Sequence, residues 1–466
     1  MHQSQNQGHR PAVWTGLLLL GVYLLTTGGQ TFISDGEIML LTAVRLVDAQ
    51  TLRLPESATA FPQVVRGYDG TLVSCYGLGQ PLLAAVLYWV GRYLVGWYLL
   101  PGGDDFHLGK FFALLLPALA TALTGRVLCA WATRLYRSSR LGVVLGLLYG
   151  LGTLAWPYSR FFFSEPLFTA CLVLAAFALF QRRPLRAGLF YGYAVVTRIG
   201  GVVLLPAFLL YAWFHAHPQE RLRRIAWMGV GGLPGGLLVL FHNWVRFRTL
   251  TEAGYPGQGF TGNLLEGLYG LLLSPGKSIF LYVPLLLALP AAVVPFIRQF
   301  RPEALLVGAL TLITLIESAM WWMWWGGWGW GPRFLTPLMP FLVLSLGSLL
   351  RRRPWQYLIV GMLLPLSLMV NMMGILVDFN VYIREVTGGI STREMIYLFQ
   401  PEYSPILGHL RYLDLKTIPI VSLDLHQQHT GFPEPAATFV SACLVLLTAG
   451  SLVGLWRAVK PVPDDA

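Results

Sequence analysis

The chain has 466 residues, of which 55% are hydrophobic and only 12% charged, against about 25% charged in an ordinary soluble domain. Its formal net charge is +11, but the arginines fall in short clusters between apolar runs, the pattern that keeps loops cytoplasmic rather than one that grips nucleic acid. A soluble globular protein and a nucleic-acid partner are both set aside, and the composition reads as an all-α, polytopic membrane protein. Cys75, Cys129, Cys171 and Cys443 are far apart and show no CxxC or Cys/His spacing, so they read as packing residues.

The first apolar segment, about residues 13 to 29, lacks a small-x-small cleavage site and reads as an uncleaved signal anchor. Ser34-Asp35-Gly36-Glu37 follows it, placing two carboxylates where the backbone leaves the membrane, and a carboxylate held there can serve as a base or simply mark a solvated end. The loop to about residue 75 adds Asp48, Glu56, Arg66 and Asp69. Further spans are expected near 76–100, 111–131, 141–157, 165–180, 187–197, 199–215, 225–242, 278–297, 304–320, 335–350, 355–374 and 436–456, since a crossing helix needs roughly 20 apolar residues.

Five basic connections separate these segments: Arg134/Arg137/Arg140, Arg182/Arg183/Arg186, Arg221/Arg223/Arg224, Arg298/Arg301 and Arg351/Arg352/Arg353. From residue 111 onward every second connection is basic, which puts these five in the cytoplasm and the intervening ones outside. Parity then leaves residues 76–100 two solutions. Either they lie in the membrane plane, or they span and the N-terminus is outside. Gly77, Gly79, Pro81, Gly91, Arg92 and Gly96 interrupt the segment, and Tyr88, Trp89, Tyr93, Trp97 and Tyr98 favour the interface. The in-plane solution is adopted, giving about twelve spans. The long connections 30–75, 243–277 and 375–434 then share the outer face, where binding and chemistry usually reside.

Several segments in this order carry a resemblance: the acidic motif after the first span, Tyr76-Gly77-Leu78-Gly79-Gln80-Pro81-Leu82-Leu83, Arg160-x4-Glu165-Pro166-Leu167, Gly192-x5-Arg198, and Gly331-Pro332-Arg333-Phe334-x2-Pro337. Together they resemble the GT-C superfamily of integral-membrane glycosyltransferases, which use polyprenyl-phosphate donors and include protein O-mannosyltransferases and the aminoarabinose transferases that modify lipid A. The resemblance covers roughly residues 13–350 and implies in-plane helices in the first outer loop. It also implies that Asp35 is the general base, taking a proton from an acceptor hydroxyl as that oxygen attacks the anomeric carbon. Glu37 is the alternative or helper, because Asp-Gly-Glu here departs from the Asp-Glu or Asp-x-Asp of many relatives. Asp69, in Gly67-Tyr68-Asp69-Gly70, is a second acid or a turn residue.

A departing phosphate needs cations. Lys277, one of only four lysines, precedes an apolar span, and Arg333 stands at the outer end of another; a guanidinium suits phosphate by bidentate bonding. Lys277 also reads as a snorkelling anchor. An Arg160–Glu165 ion pair is favoured over a substrate contact, with Glu165 and Arg198 retained as binding candidates at the same level. Glu317 is expected to face the same cavity. The run Trp321-Trp322-Met323-Trp324-Trp325-Gly326-Gly327-Trp328-Gly329-Trp330 reads mainly as an interfacial belt, with a sugar or isoprenoid contact for Trp328 or Trp330.

The expected function is transfer of a sugar from a polyprenyl-phosphate donor to a glycan, lipid or protein hydroxyl by single displacement, at the extracytoplasmic face of the cell membrane. Membrane lipids are expected partners. A transporter or flippase of lipid-linked sugars is the alternative reading, disfavoured because the charges gather at span ends and no internal repeat is visible. No cofactor is required by the sequence, although Asp35 and Glu37 could ligate Mg or Mn. Residues 1–350, with a first outer loop over 30–110, are expected as the catalytic module, and 351–466 as C-terminal helices with an outer loop over 375–434 that could form a lid or acceptor platform.

Overall fold

The computed structural model describes residues 9–99, 104–350, 354–390, 393–413 and 434–460. The Arg351/Arg352/Arg353 connection and residues 414–433 of the last long loop lie outside the described residues. Among the described residues, five helices are long and apolar enough to cross a membrane: Asp105–Tyr136, Pro218–Phe247, Arg301–Met320, Gln356–Leu376 and Ala436–Val459. Shorter apolar helices lie between them, over Ser139–Gly152, Glu165–Phe180, Ile199–Phe214, Leu264–Leu273, Pro284–Gln299 and Arg333–Leu346, and Leu264–Leu273 falls inside the connection 243–277, expected as an outer loop. The protein is an all-α membrane protein.

Helix α1 (His9–Leu25) ends in a short turn, and α2 (Ser34–Asp48) opens with Asp35 and Glu37 in its first turn. One small addition to the all-α expectation follows: strands β1 (Val64–Arg66) and β2 (Leu72–Ser74) pair antiparallel as a hairpin, Val65 opposite Val73. Helix α3 (Gly79–Trp89) continues as a π-helical stretch over Val90–Leu99 and packs on α2 and on α4 (Asp105–Leu114). It is not among the long apolar helices.

Helices α5 (Leu116–Tyr136), α6 (Ser139–Gly152), α7 (Ala155–Arg160) and α8 (Glu165–Phe180) build the centre of the bundle. Prolines set several of the breaks, because each removes a backbone donor and fixes φ: Pro166 opens α8, and Pro184 opens α9 (Pro184–Thr197). Then come α10 (Leu205–Phe214), α11 (Arg221–Phe247), α12 (Leu264–Leu273), α13 (Ile279–Tyr282), α14 (Leu289–Gln299), α15 (Arg301–Met320), α16 (Met339–Leu346) and α17 (Pro354–Leu376). Helices α9 and α11 lie in backbone contact. A Cβ on Gly188 would strike the carbonyl of Met228, one on Gly231 that of Leu185, and one on Gly235 the backbone of Gly192. Gly188 meets the Met228-to-Gly232 stretch and Gly192 meets Gly232 and Gly235, so the contacts advance in the same sense along both helices, which run parallel.

The outward face of α11 carries exposed Leu233, Leu237 and Phe241. A contiguous apolar face of this kind on a helix that crosses the membrane is solvated by lipid tails rather than by water.

The two stretches on either side of residue 350 interlock. The last helix, α21 (Glu434–Val459), packs along α1, where Gly21 meets Thr448 and Gly454 meets Trp14. Between α17 and α21, three short helices, α18 (Phe379–Thr387), α19 (Met395–Phe399) and α20 (Pro405–Arg411), fold back over the tryptophan run. His409 is fully buried and its ring lies 4.5 Å from that of Trp330.

Candidate active site at the acidic end of the bundle

Four separate connections bring their charges to one end of the bundle. Asp35 stands in the first turn of α2, a position where the unsatisfied N–H groups and the helix dipole favour a carboxylate. Glu165 opens α8, Arg198 closes α9, and Arg333 begins a 3-10 turn, Arg333–Leu338. Arg333 donates to Asp35 at 2.9 Å, and its Nε lies 3.6 Å from Glu165. Arg198 pairs with the same Glu165 oxygen. The result is a chain of alternating charge, Asp35–Arg333–Glu165–Arg198, drawn from residues as far apart as 298 positions.

Burial grades along this chain. Glu165 is 1% exposed, whereas Asp35, Arg333 and Arg198 keep 17%, 15% and 30% of their side-chain surface. A carboxylate that deep must be paired, because leaving it alone in a low-dielectric interior is far costlier than the pair itself. Glu165 therefore holds two arginines in place while Asp35 and Arg198 remain reachable. Its second oxygen has no hydrogen-bond partner among the described residues. Both arginines also lie against aromatic faces, Arg333 at 4.4 Å from the Phe163 centroid and 5.1 Å from Phe334, Arg198 at 5.7 Å from Phe334.

Asp35 is oriented from two sides. Its second oxygen accepts from Gln63 at 2.9 Å, and Gln63 also donates to Ser34 at 2.8 Å. Tyr76 lies close enough that burial first, and then the charge of Asp35, push its phenol well above the ordinary range, so it stays a neutral hydroxyl beside the acid. Glu37 points elsewhere and accepts from Thr31 at 2.9 Å. Both Asp35 oxygens and one Glu37 oxygen are thus already engaged, and no group of three His, Cys, Asp or Glu side chains converges among the described residues. The pair does not form a ready Mg or Mn pocket in this arrangement.

The remaining expectations separate. Asp69 sits exposed in the β1–β2 turn, where Thr71 donates to it from both hydroxyl and backbone and Arg53 bonds it at 2.9 Å. Those bonds, Thr71 first, hold its carboxyl below the usual range. Arg160 does not pair with Glu165, as expected from spacing. It donates to the carbonyl of Ile375 and covers the ring of Phe32 at 4.4 Å, because the kink at Phe161–Phe163 turns it away. Glu317 does lie toward Arg198, its carboxylate 3.0 Å from where a Cβ on Gly200 would stand.

Lys277 is fully buried and donates to the carbonyls of Gly327, Gly329 and Gly331 at 3.2, 2.7 and 3.1 Å. An ammonium has three protons, so a loop of three carbonyls accounts for all of them. Burial, and after it the nearby Arg333, lower its affinity for the proton to about 7, with Glu394 opposing. Gly326, Gly327 and Gly331 adopt positive φ, the left-handed backbone that glycine enters without a Cβ clash, and this curls the loop around the lysine.

The tryptophans of that loop differ in burial, and two of the six are core residues rather than interfacial ones. Trp324 and Trp330 are buried, and Trp322 is the exposed one. Trp325 and Trp328 both donate to Glu394, Trp328 at 2.6 Å. Sequence reasoning missed Gln63 and Glu394. Neither lies in a motif, and only the tertiary fold brings Glu394 to the indoles.

Neither a protein-family model nor a curated protein sequence matches the chain. Among solved structures, the crystal structure of ArnT from Cupriavidus metallidurans bound to undecaprenyl phosphate is similar over 96% of this chain and 75% of that one, at 14% identity and a TM-score of 0.50. The apo-state structure of the same protein gives 96%, 73%, 15% and 0.49. At such identity the likeness is one of fold: the chain shares the membrane fold of that undecaprenyl-phosphate-bound structure.

Proposed function

We propose that the protein is a membrane glycosyltransferase that moves a sugar from a polyprenyl-phosphate donor to an acceptor hydroxyl at the extracytoplasmic face. The observation that carries this reading is the contact between Asp35 and Arg333, a partly exposed carboxylate and guanidinium held together by elements 298 positions apart in the chain. The fold likeness to a protein crystallised with undecaprenyl phosphate supports it.

In the reaction, Asp35 accepts the proton of the acceptor O–H while that oxygen forms a bond to the anomeric carbon. The bond from that carbon to the donor phosphate oxygen breaks, and its electron pair leaves with the lipid phosphate. Negative charge grows on the phosphate, and Arg333 with Arg198 stabilises it in a site screened from water. In this reading the donor phosphate takes over Arg333 from Asp35, which frees the carboxylate to act as base once the donor is bound. Lys277 serves the site from behind, holding the glycine loop that leads into Arg333, and Trp328 with Glu394 forms the neighbouring wall for sugar or acceptor.

Exchanging Asp35 for Asn keeps the size and the Gln63 contact but removes the base. Asp35→Asn is expected to lower transfer by about 10²–10⁴-fold with an unchanged gel-filtration profile in detergent, and Glu37→Gln to lower it much less. A fully active Asp35→Asn enzyme sinks this assignment, and an inactive Glu37→Gln enzyme exchanges the two roles.

A further inference from the structure

The far end of the bundle carries an organised basic surface. Helix α8 has 16 residues, so Arg182 and Arg183 lie about 24 Å from Glu165 along its axis. Two grooves meet there. One, of about 480 Å³, is lined by Arg182, Arg183, Arg186, Arg223, Arg224 and Trp227, with Glu220 as the acid among its lining residues. The other, of about 370 Å³, lies between Arg134 and Phe180 on one side and the same Arg182 and Arg183 on the other. The two arginines are a ridge between the grooves.

The charge here is not neutralised. Glu220 pairs with Arg223 and Arg224, and Arg182, Arg183 and Arg186 are exposed and form no salt bridge among the described residues. Arg182 closes α8 with φ at +59°, a conformation that normally selects glycine or asparagine; a long cation stands there instead. The parallel helices α9 and α11 both begin beside the first groove, at Pro184 and Arg221, adding positive dipole ends to the guanidinium field. Just inward along the same helices, Leu185, Leu189, Trp227 and Val230 are each more than 40% exposed. Retention of a chain end on one side of a membrane needs only the arginines; it does not need a pair of concave grooves with an apolar flank.

We propose that these two grooves bind one diphosphatidylglycerol lipid, a phosphodiester in each, with Arg182 and Arg183 shared between them. Guanidinium groups match phosphate oxygens by paired N–H donation, and the acyl chains lie along the exposed apolar residues of α9 and α11. The bound lipid ties together the feet of α8, α9 and α11. The opposite ends of α8 and α9 carry Glu165 and Arg198.

The test uses the full chain in phosphatidylcholine nanodiscs, with cardiolipin, phosphatidylglycerol or inorganic phosphate added, and lipid retention read by native mass spectrometry. Cardiolipin is expected to be retained. The triple variant Arg182→Gln, Arg183→Gln, Arg186→Gln should bind it about 100-fold more weakly, and the triple variant Arg140→Gln, Arg298→Gln, Arg301→Gln, equal in charge removed, should stay close to the parent. Should the first variant fail to fold, Arg186→Gln alone is expected to weaken retention about 5-fold. Equal losses in the two triple variants, or no loss in Arg186→Gln, overturn the site. Displacement of cardiolipin by phosphatidylglycerol or inorganic phosphate at equal concentration overturns the two-phosphate lipid, an adventitious anion surface being what remains.

Discussion

Arg333 joins the two carboxylates at the acidic end, because it donates to Asp35 and lies beside Glu165 at once. If it holds the donor phosphate, Arg333→Gln raises the donor requirement and slows transfer together, costing roughly 10²–10³-fold in rate, the size seen when one transition-state donor is removed. Arg333→Lys should recover only part, since a point charge cannot reproduce a planar fork across two acceptors. Steady-state kinetics at varied donor concentration separates these outcomes; an Arg333→Gln enzyme with unchanged donor dependence makes the residue a structural bridge only. Asp35 was readable in the sequence because a carboxylate just past an apolar run has few reasons to be there. Arg198 and Glu165 were readable as charges at span ends, but not as partners. Spacing offered Arg160 to Glu165, five residues away, and the three consecutive phenylalanines between them turn the chain so that Arg198 arrives instead. Gln63 had no signal at all, since a glutamine in a polar loop is ordinary until a hairpin brings it to Asp35.

At the scale of elements, the loop from Trp321 to Gly331 is shaped by a cation inside it. The alternation of glycine carbonyls at 327, 329 and 331 makes a ring around the Lys277 ammonium, while Glu394 gathers two indoles outside it. Lys277→Met keeps the volume and leaves three carbonyls without their donor, so the protein should lose at least about 2 kcal/mol of stability, with altered tryptophan fluorescence from Trp325 and Trp328. Thermal unfolding in detergent checks this. A variant as stable as the parent but needing far more donor would return Lys277 to the phosphate. The sequence made this loop conspicuous by its six tryptophans and four glycines, yet composition alone suggests anchoring at an interface. What decides the matter is burial, which depends on α18 to α20 folding back from a distant part of the chain. Helix positions were far easier to read: nearly every expected span has its helix, because a run of apolar residues bounded by arginines or prolines leaves little choice.

For the whole molecule, the alternation of ends is the organising fact. Arg137, Arg182, Arg223 and Arg298 stand at one set of helix ends, and Asp35, Glu165, Arg198 and Arg333 at the other. With Cys443 replaced to remove the exposed native thiol, a cysteine at Ser34 or Phe260 should react with an impermeant maleimide in intact cells, and one at Arg137 or Arg223 only after permeabilisation. The reverse pattern would invert the orientation and move the acidic site to the cytoplasm. This arrangement was visible in the charge pattern alone, whereas the convergence of four connections on one carboxylate–guanidinium chain was not, because it requires the crossing of helices that no local pattern encodes. The most direct measurement is the lipid-linked saccharide pool of cells that depend on this chain, compared with cells carrying Asp35→Asn at equal membrane abundance. The account predicts that Asp35→Asn cells accumulate one polyprenyl-phosphate sugar and lack that sugar on a surface glycan, lipid or protein; identical pools and identical surface sugars in the two would contradict it.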